Sequence, residues 1–492
     1  MQLRDLIREV NSARIVGSSE WERVEITGLT DDSRFVKRGD LFFCRRGGNV
    51  DSHQYAKEAL KKGAAALVVE RELAIDLPQI LVDDARAAMS LISVAFYGEP
   101  HKKVKLIGIT GTNGKTTTAY MLASVLRTAG KSVGIIGTLG IYYANKKIAP
   151  ELTTPDPIFL QATLADMAAC GVEYAVMEVS AHALYFHKDA GVTYEACIFT
   201  NCSQDHLDFF KDMEEYAEVK KGLFTARRCA LAIVNGDDAL GREIVRERKA
   251  AGVGKTLVYG LEEPSDDFAV VTEEDLYGTD AVLNVRDELT HVRVSLSGRH
   301  NVYNALAAAS CAYDLGVPLK EIAAGLKVLK RVNGRLELVA EHRGVKLFVD
   351  FAHTPDGLEK SLQALKKHCK GRLVCVFGCG GNRDKSKRPL MGEAVAKNAD
   401  FAVLTSDNPR YEDPLDIISA IERGYRKHST QYVIVPERER AVEYAIARAK
   451  DGDVLLIAGK GGEEYQEIMG IKYLLNDNDL IKKIIRESEG LA

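Results

Sequence analysis

The chain has no excess of positive charge, no apolar run long enough to cross a bilayer, no CxxC pair and no long low-complexity tract. Each absence removes a class of function. Its 66 basic and 70 acidic residues give a formal charge of -4, so no bulk positive charge neutralises a nucleic-acid backbone, and nucleic acid is not expected as a partner. The opening MQLRDLIREV carries charges where a secretory leader needs an apolar stretch, which together with the missing span predicts a cytoplasmic protein without membrane insertion. Nine cysteines lie scattered at Cys44, Cys170, Cys197, Cys202, Cys229, Cys311, Cys369, Cys375 and Cys379, a pattern of reduced thiols. Cys375 and Cys379 bracket an apolar strand and a glycine turn, and no matched ligands complete a zinc site.

What is present is a globular composition, 46% hydrophobic and 28% charged, over 492 residues. That length exceeds one ordinary core and predicts two or three domains. The first 98 or so residues read as a small α/β unit, with a glycine turn at Gly47 and Gly48 and an apolar strand Ala64 to Val69, ending near Tyr97-Gly98-Glu99-Pro100. A charged link, His101 to Lys105, leads to an apolar run from Leu106 to Ile109. Further buried-strand candidates follow at Ser132 to Ile136, Tyr174 to Glu178, Ala196 to Thr200 and Leu231 to Val234. Helix-length segments separate them, the grammar of a mostly parallel sheet. Near Asn333-Gly334 the pattern restarts, with strands expected at Lys346 to Asp350, Arg372 to Phe377, Phe401 to Thr405, Tyr432 to Val435 and Val454 to Ala458. The predicted fold class is therefore α/β with three domains, 1–98, 99–333 and 334–492.

The segment from Ile107 to Thr117, IGITGTNGKTT, places Gly111, Thr112, Asn113, Gly114, Lys115, Thr116 and Thr117 between a strand and a helix. There, backbone N–H groups and the helix dipole attract phosphate. Lys115 adds a point charge and Thr116 an oxygen for Mg²⁺. Ile109 stands five positions before Gly114, where the strict phosphate loop has glycine, so this is a variant; the bland alternative is a glycine-rich turn with an incidental lysine. Downstream, MEVSAHAL and TNCSQDHLD put Glu178 and His206 at expected strand ends, the edge where open α/β sheets gather ligands. By residue type alone Glu178 reads equally as a surface acid, His206 as a core histidine and Lys220 as an exposed helix lysine.

The GTNGKTT loop resembles the ATP loop of the Mur ligases and folylpolyglutamate synthetases, and further segments extend the resemblance along the whole chain. It implies a uridine-nucleotide-binding N-terminal domain, a central ATPase-like parallel-sheet domain and a Rossmann-like C-terminal domain that binds the incoming amino acid. It implies Lys115, Glu178, His206 and Lys220 as catalytic residues, with Lys220 carbamylated and Thr116, Glu178, His206 and Lys220 holding Mg²⁺. Adjacent Lys221 leaves the lysine register open. Asn301 and Asn304 in SGRHNVYNAL would meet adenine, while Arg335 and Asp350 would clamp phosphate and ribose. In TDDSRFVKRGDLF, Ser33 matches a uridine-nucleotide ligand, and Thr153, Thr154, Ser180 and Lys188 match positions that hold a UDP-linked muramoyl dipeptide. Hydroxyls near Pro155 could instead cap a helix.

In SDNPRY, Asp407, Asn408, Pro409 and Arg410 resemble the motif of members that add meso-diaminopimelate. A guanidinium can grip the distal carboxylate of that amino acid with two hydrogen bonds, where lysine has only an ammonium. Arg383, Gly459 and Glu463 match the rest of that subsite, although Arg383 could be a phosphate-facing or surface arginine. Lys188, Gln204, Phe351 and Gly462 depart from the family pattern. The expected activity is ATP-dependent amide-bond formation through an acyl phosphate, by a monomer acting on ATP, UDP-muramoyl dipeptide and diaminopimelate. A ligase adding lysine to the same peptide or glutamates to folate, and an ATP-dependent switch that forms no bond, remain the alternatives.

Overall fold

The computed structural model describes residues 1–10, 13–17, 20–47, 50–149 and 151–490; Gly48 of the expected N-terminal turn lies outside them. The chain forms two compact units, the first made of Met1–Gly108, Ser132–Ala196 and Thr225–Ala230, the second of Ile109–Lys131, Cys197–Phe224 and Leu231–Ala492.

The first unit opens on a five-stranded sheet in the order Arg14–Val16, Gln79–Leu81, Ala66–Val69, Asp40–Phe43, Gly28–Thr30. All neighbours are parallel except the first pair. Its central strands, ALVV and DLFF, are buried throughout, as strands covered on both faces must be. One face packs Leu41, Phe43, Val68 and Ile80 against the helix Ala85–Phe96; the other packs Phe42, Leu67 and Val69. The same unit carries Tyr174–Glu178 parallel to Val133–Gly137, followed by antiparallel Gly140–Tyr143 and Lys146–Ile148.

The strands Lys105–Thr110, Tyr194–Phe199 and Cys229–Asn235 begin in the first unit and end in the second. In the second unit Cys229–Asn235 pairs in parallel with Lys255–Gly260, and that strand with Asp267–Asp275. The antiparallel strands Gly278–Val285 and Glu288–Val294 then extend the sheet. A separate six-stranded sheet has the order Glu337–His342, Val345–Asp350, Val454–Ala458, Leu373–Phe377, Phe401–Leu404, Tyr432–Ile434, parallel except for its first pair. Apolar clusters cover both of its faces. The last parallel strand in sequence, Val454–Ala458, inserts between the first and second, so the chain reverses direction across the sheet there. Such a switch opens a crevice at the carboxyl ends of the strands.

Candidate functional site

At the start of the second unit the strand Lys105–Thr110 runs into the helix Lys115–Thr128 through a loop that only glycine permits at two points. Gly111 has φ +145°, and a Cβ there would lie 1.9 Å from Thr200 Oγ1; Gly114 has φ +88°, with Asn304 Oδ1 2.4 Å from its would-be Cβ. The loop is held open by its neighbours. Asn113 N–H donates to Asn201 Oδ1 at 3.0 Å, its amide donates to Asp356 Oδ2 at 2.9 Å, and Thr112 Oγ1 donates to the Ser203 carbonyl at 3.1 Å. Lys115 Nζ donates to the carbonyls of Gly111 and Thr112 at 2.8 and 3.1 Å, curled over the loop.

Around it stand most of the residues expected for a nucleotide. Asn304 accepts from Thr118 Oγ1 at 3.2 Å and donates to Asn301 Oδ1 at 3.1 Å, while Asn301 donates to the Ser297 carbonyl at 2.8 Å. Arg335 donates to Thr116 Oγ1 at 2.9 Å, its guanidinium 4.3 Å from the centre of the Phe351 ring. A face-on arginine needs an aromatic ring but no hydroxyl, so the departure from tyrosine at Phe351 keeps this contact. Thr117 is buried in the helix. Asp350, at the end of Val345–Asp350, accepts N–H bonds from Leu336 and Phe351 at 3.1 and 2.8 Å.

Lys220 corrects the residue-type expectation of an exposed lysine: it is 1% exposed, whereas Lys221 reaches Glu247 at 2.7 Å. The helix Met213–Lys221 turns Tyr216 and Lys220 to the same side, four residues apart, and Lys220 Nζ lies 3.3 Å from the Tyr216 ring centre. Among the described residues no carboxylate forms an ion pair with it. Burial first, and the charge of Lys115 second, push its pKa well below the usual lysine range. A neutral amine in such a place can add carbon dioxide, and the resulting anion would offset Lys115, so the position fits a carbamate better than a cation.

Sequence reasoning assigned His206 but no role to its neighbour Asp205, which is the hub of the same region. Asp205 Oδ1 accepts from Lys387 Nζ at 2.9 Å, and Oδ2 lies 3.4 Å from His353 Nε2 and 3.5 Å from His206 Nε2. Burial opposes its ionisation, yet the His353 hydrogen bond and the Lys387 charge hold the carboxyl well below its usual range. His206 has φ +58°, a strained backbone. Gln204, another departure, donates to Ser386 Oγ at 3.0 Å.

At the switch point of the six-stranded sheet, three strand ends bring the expected amino-acid residues together. Gly459 follows Val454–Ala458 with φ +111°, and its would-be Cβ meets Asp407 Oδ2 at 2.5 Å. Asn408 donates to Glu463 Oε2 at 2.9 Å and accepts from Lys460 Nζ at 3.0 Å, and Lys460 donates to the same Glu463 oxygen at 2.8 Å. Lys460, fully buried, escaped sequence reading although it stands next to Gly459. Below lies Arg438, paired with Asp477 and donating to the carbonyls of Ser406 and Ala458 at 3.3 and 3.0 Å. Burial works against the Asp407 carboxylate, but Lys460 and Arg438 hold its pKa down. Pro409 is buried and Arg383 exposed. Arg383 and Arg410 flank Gly380, whose would-be Cβ meets Arg410 Nη1 at 3.0 Å and Arg383 Cγ at 3.6 Å. Two guanidinium-bearing side chains beside one glycine suit a carboxylate.

In the first unit Glu178 ends Tyr174–Glu178 buried, its oxygens accepting from Thr138 N–H at 2.9 Å and Thr138 Oγ1 at 3.0 Å. Thr154 Oγ1 donates to the Glu178 carbonyl at 2.9 Å and accepts from Ser180 N–H at 3.0 Å; Thr153 meets Thr138 at 3.2 Å. Ser180 caps the helix Ala181–Tyr185. Lys188 pairs with Asp156 at 2.8 Å. Ser33, buried near the other end of the unit's chain, lies 3.4 Å from Glu58 Oε2 and offers its carbonyl to Lys62. Among the described residues no three His, Cys, Asp or Glu side chains form a metal cluster. Within the second unit, Thr116 hydroxyl, His206 imidazole and a carbamate at Lys220 are donor types that magnesium takes, and Glu178 in the first unit is a carboxylate of the same kind.

Three family profiles match the chain: "Mur ligase family, catalytic domain" at residues 25–97, "Mur ligase middle domain" at 109–312 and "Mur ligase, glutamate ligase domain" at 334–461. UDP-N-acetylmuramoyl-L-alanyl-D-glutamate--2,6-diaminopimelate ligase of Caldanaerobacter subterraneus subsp. tengcongensis is 41% identical, over 99% of this chain and all of that one. Its counterpart numbered 1 from Clostridium acetobutylicum is 42% identical over the same shares. A solved structure of a ligase of that name superposes with TM-score 0.70 and 29% identity, covering 99% of both chains. MurF ligase from Thermotoga maritima in complex with ADP has the same fold, with TM-score 0.62 and 20% identity over 95% of this chain and 99% of that one.

Proposed function

The chain belongs to the Mur ligase family, and from that premise we propose that it joins meso-2,6-diaminopimelate to UDP-N-acetylmuramoyl-L-alanyl-D-glutamate at the expense of ATP, in peptidoglycan precursor synthesis. The observation that carries the choice of amino acid is the strand-end cluster in which Arg410 and Arg383 flank Gly380 beside the Asn408–Glu463–Lys460 network. Two guanidinium groups suit the distal carboxylate, and the Glu463 carboxylate suits an ammonium.

The reaction needs a carboxylate made electrophilic and an amine brought to it. The peptide carboxylate attacks the terminal phosphorus of ATP, ADP leaves, and the amine of diaminopimelate attacks the acyl phosphate and expels phosphate. Lys115 exchanges its loop carbonyls for phosphate oxygens, with the N–H groups of Gly111, Thr112, Asn113, Gly114, Thr116 and Thr117 about them. Arg335 swings its charge between Thr116 and phosphate, Asp350 takes the ribose, and Asn301 and Asn304 take adenine. Thr116, Glu178, His206 and a carbamylated Lys220 would hold magnesium, which would supply positive charge against the phosphate oxygens. Ser33, Thr153, Thr154, Ser180 and Lys188 hold the UDP-muramoyl peptide; Asp407, Asn408, Pro409, Arg410, Arg383, Gly459 and Glu463 hold diaminopimelate. The proposed division of labour is 1–98 for the uridine nucleotide, 99–333 for ATP and 334–492 for the amino acid, in a cytoplasmic monomer. No helix of the described residues is long and apolar enough to cross a membrane.

The test is phosphate release with ATP, Mg²⁺ and the UDP-muramoyl dipeptide, with either meso-diaminopimelate or lysine, and product identification by mass. A tripeptide formed only with diaminopimelate is the expected result. Tripeptide with lysine at equal efficiency would overturn the amino-acid assignment, and ATP turnover without an amide product would overturn the ligase reading.

A further inference from the structure

The guanidinium of Arg410 is not free to take a substrate in any direction. Its Nε donates to Glu467 Oε2 at 3.1 Å, and its Nη1 donates to the Gly381 carbonyl at 2.8 Å. No described residue takes a hydrogen bond from Nη2. Both side chains of the pair are about one-fifth exposed, at 19% and 22%, so water screens the pair only in part.

Glu467 belongs to the hairpin Tyr465–Ile468 and Ile471–Leu474, which forms a sheet of its own with two strands. Such a hairpin is marginal alone. Here it is stitched to the Asp407–Arg410 loop by hydrogen bonds that do not involve the Glu467 carboxylate. Arg410 N–H donates to the Glu467 carbonyl at 3.0 Å, and Met469 N–H donates to the Arg410 carbonyl at 2.7 Å. Glu467 N–H donates to Asn408 Oδ1 at 2.9 Å, and Gln466 donates to the Asp407 carbonyl at 2.6 Å. These bonds stabilise Arg410 at φ +52°, a conformation a non-glycine residue adopts only when its surroundings impose it. With the backbone so fixed, the carboxylate has one remaining effect, which is to aim the guanidinium.

We propose that Glu467 is a positioning residue for amino-acid selection: it occupies Arg410 Nε and, with Nη1 on the Gly381 carbonyl beside Gly380, leaves Nη2 as the nitrogen presented to the distal carboxylate of the incoming amino acid. This rests on the reading of Arg410 and Arg383 as the distal-carboxylate subsite. An arginine held on one edge loses less rotamer freedom when a carboxylate binds the other, so the discrimination between a carboxylate and an ammonium sharpens.

The experiment is steady-state kinetics of the full chain with Glu467→Ala and Glu467→Gln, each with melting temperature measured alongside. Glu467→Ala should raise KM for diaminopimelate roughly tenfold, the scale of one hydrogen bond to a charged group, and lower the preference over lysine by the same factor. Its kcat and its KM for ATP and for the UDP-muramoyl dipeptide should stay within about twofold. Glu467→Gln, whose amide oxygen still accepts from Nε, should recover most of the lost affinity. An unchanged KM in Glu467→Ala would overturn the proposal, as would equal impairment of both variants or a general loss of affinity with a lowered melting temperature. A parent enzyme that makes no tripeptide from diaminopimelate would instead overturn the substrate reading on which the proposal stands.

Discussion

Two adjacent lysines, Lys220 and Lys221, carry the sharpest contrast at the scale of single residues. Lys221 spans Glu218 and Glu247, an arrangement worth little in solvent. Lys220 is buried over Tyr216, with no carboxylate to pair with among the described residues. Replacing Lys220 by Met should lower ligation at least about a hundredfold, the scale of a lost charge-stabilising group, while Lys221→Met should stay within about twofold. A second reading separates the chemistry from the rate: in ¹³C-bicarbonate the parent and Lys221→Met should show a carbamate carbon by NMR, and Lys220→Met should not. Retention of that resonance in Lys220→Met would remove Lys220 from the ligand set. Little of this was legible in the residues alone, because a short, polar helix such as MEEYAEVKK has no apolar stripe to assign a buried face. The only internal clue is Tyr216, one turn before Lys220. Asp205 was hidden for a different reason: its partners Lys387 and His353 are more than a hundred residues away in the chain, and no local spacing announces them.

Strand ends and the loops that follow them do most of the placing. Gly381 illustrates how tightly: its N–H donates to the Asn408 carbonyl at 2.8 Å, and a Cβ would lie 1.9 Å from the Pro409 carbonyl oxygen. Gly381→Ala must therefore push the Asp407–Arg410 loop outward, and KM for diaminopimelate should rise by more than about tenfold with KM for ATP little changed. The loop after it is tied by Glu412, which accepts from both terminal nitrogens of Arg388 at 3.0 and 2.9 Å. The Arg388 hydrogen bonds, against an opposing effect of burial, hold the Glu412 pKa down to about 2. A carboxyl depressed in the folded state stabilises above its unfolded pKa of about 4.3, and that contribution is lost as pH falls toward 2. Glu412→Gln should flatten the fall in melting temperature over that window, and an unchanged slope would show that the pair contributes nothing. The parallel strands behind these loops were readable because their apolar runs are buried on both faces: Tyr174 to Glu178 and Val454 to Ala458 fall where the sequence puts them. The strand Asp267–Asp275 and the hairpin Tyr465–Leu474 were not, since each is largely solvated and the hairpin's second strand is wholly exposed. Glu467 sits in that unreadable part.

Across the molecule, the second unit assembles its chemistry from three stretches that meet only in the fold: 109–131, 197–224 and the long run from 231. Asn113 to Asp356, Thr116 to Arg335 and Asp205 to Lys387 are the links, each spanning more than 180 residues. The first two join groups proposed to meet nucleotide or lie beside it, and substrate will compete for them. The third is buried at 5% exposure on both sides and is the one built to persist. A buried pair contributes little net stability over an apolar replacement, but removing one partner strands the other without solvent. Lys387→Met should thus cost up to about 3–5 kcal/mol, because it would leave Asp205 buried with only the His353 and His206 imidazoles beside it, read as a lowered denaturant midpoint. The double variant Asp205→Leu with Lys387→Met should recover most of that stability, because both charges are gone. If the double variant regains its midpoint yet stays slow at saturating substrate, the pair holds the His206 segment in its working place. If it regains both, the pair is a feature of folding alone, and the placement of His206 must come from its strained backbone and the Thr112–Ser203 contacts.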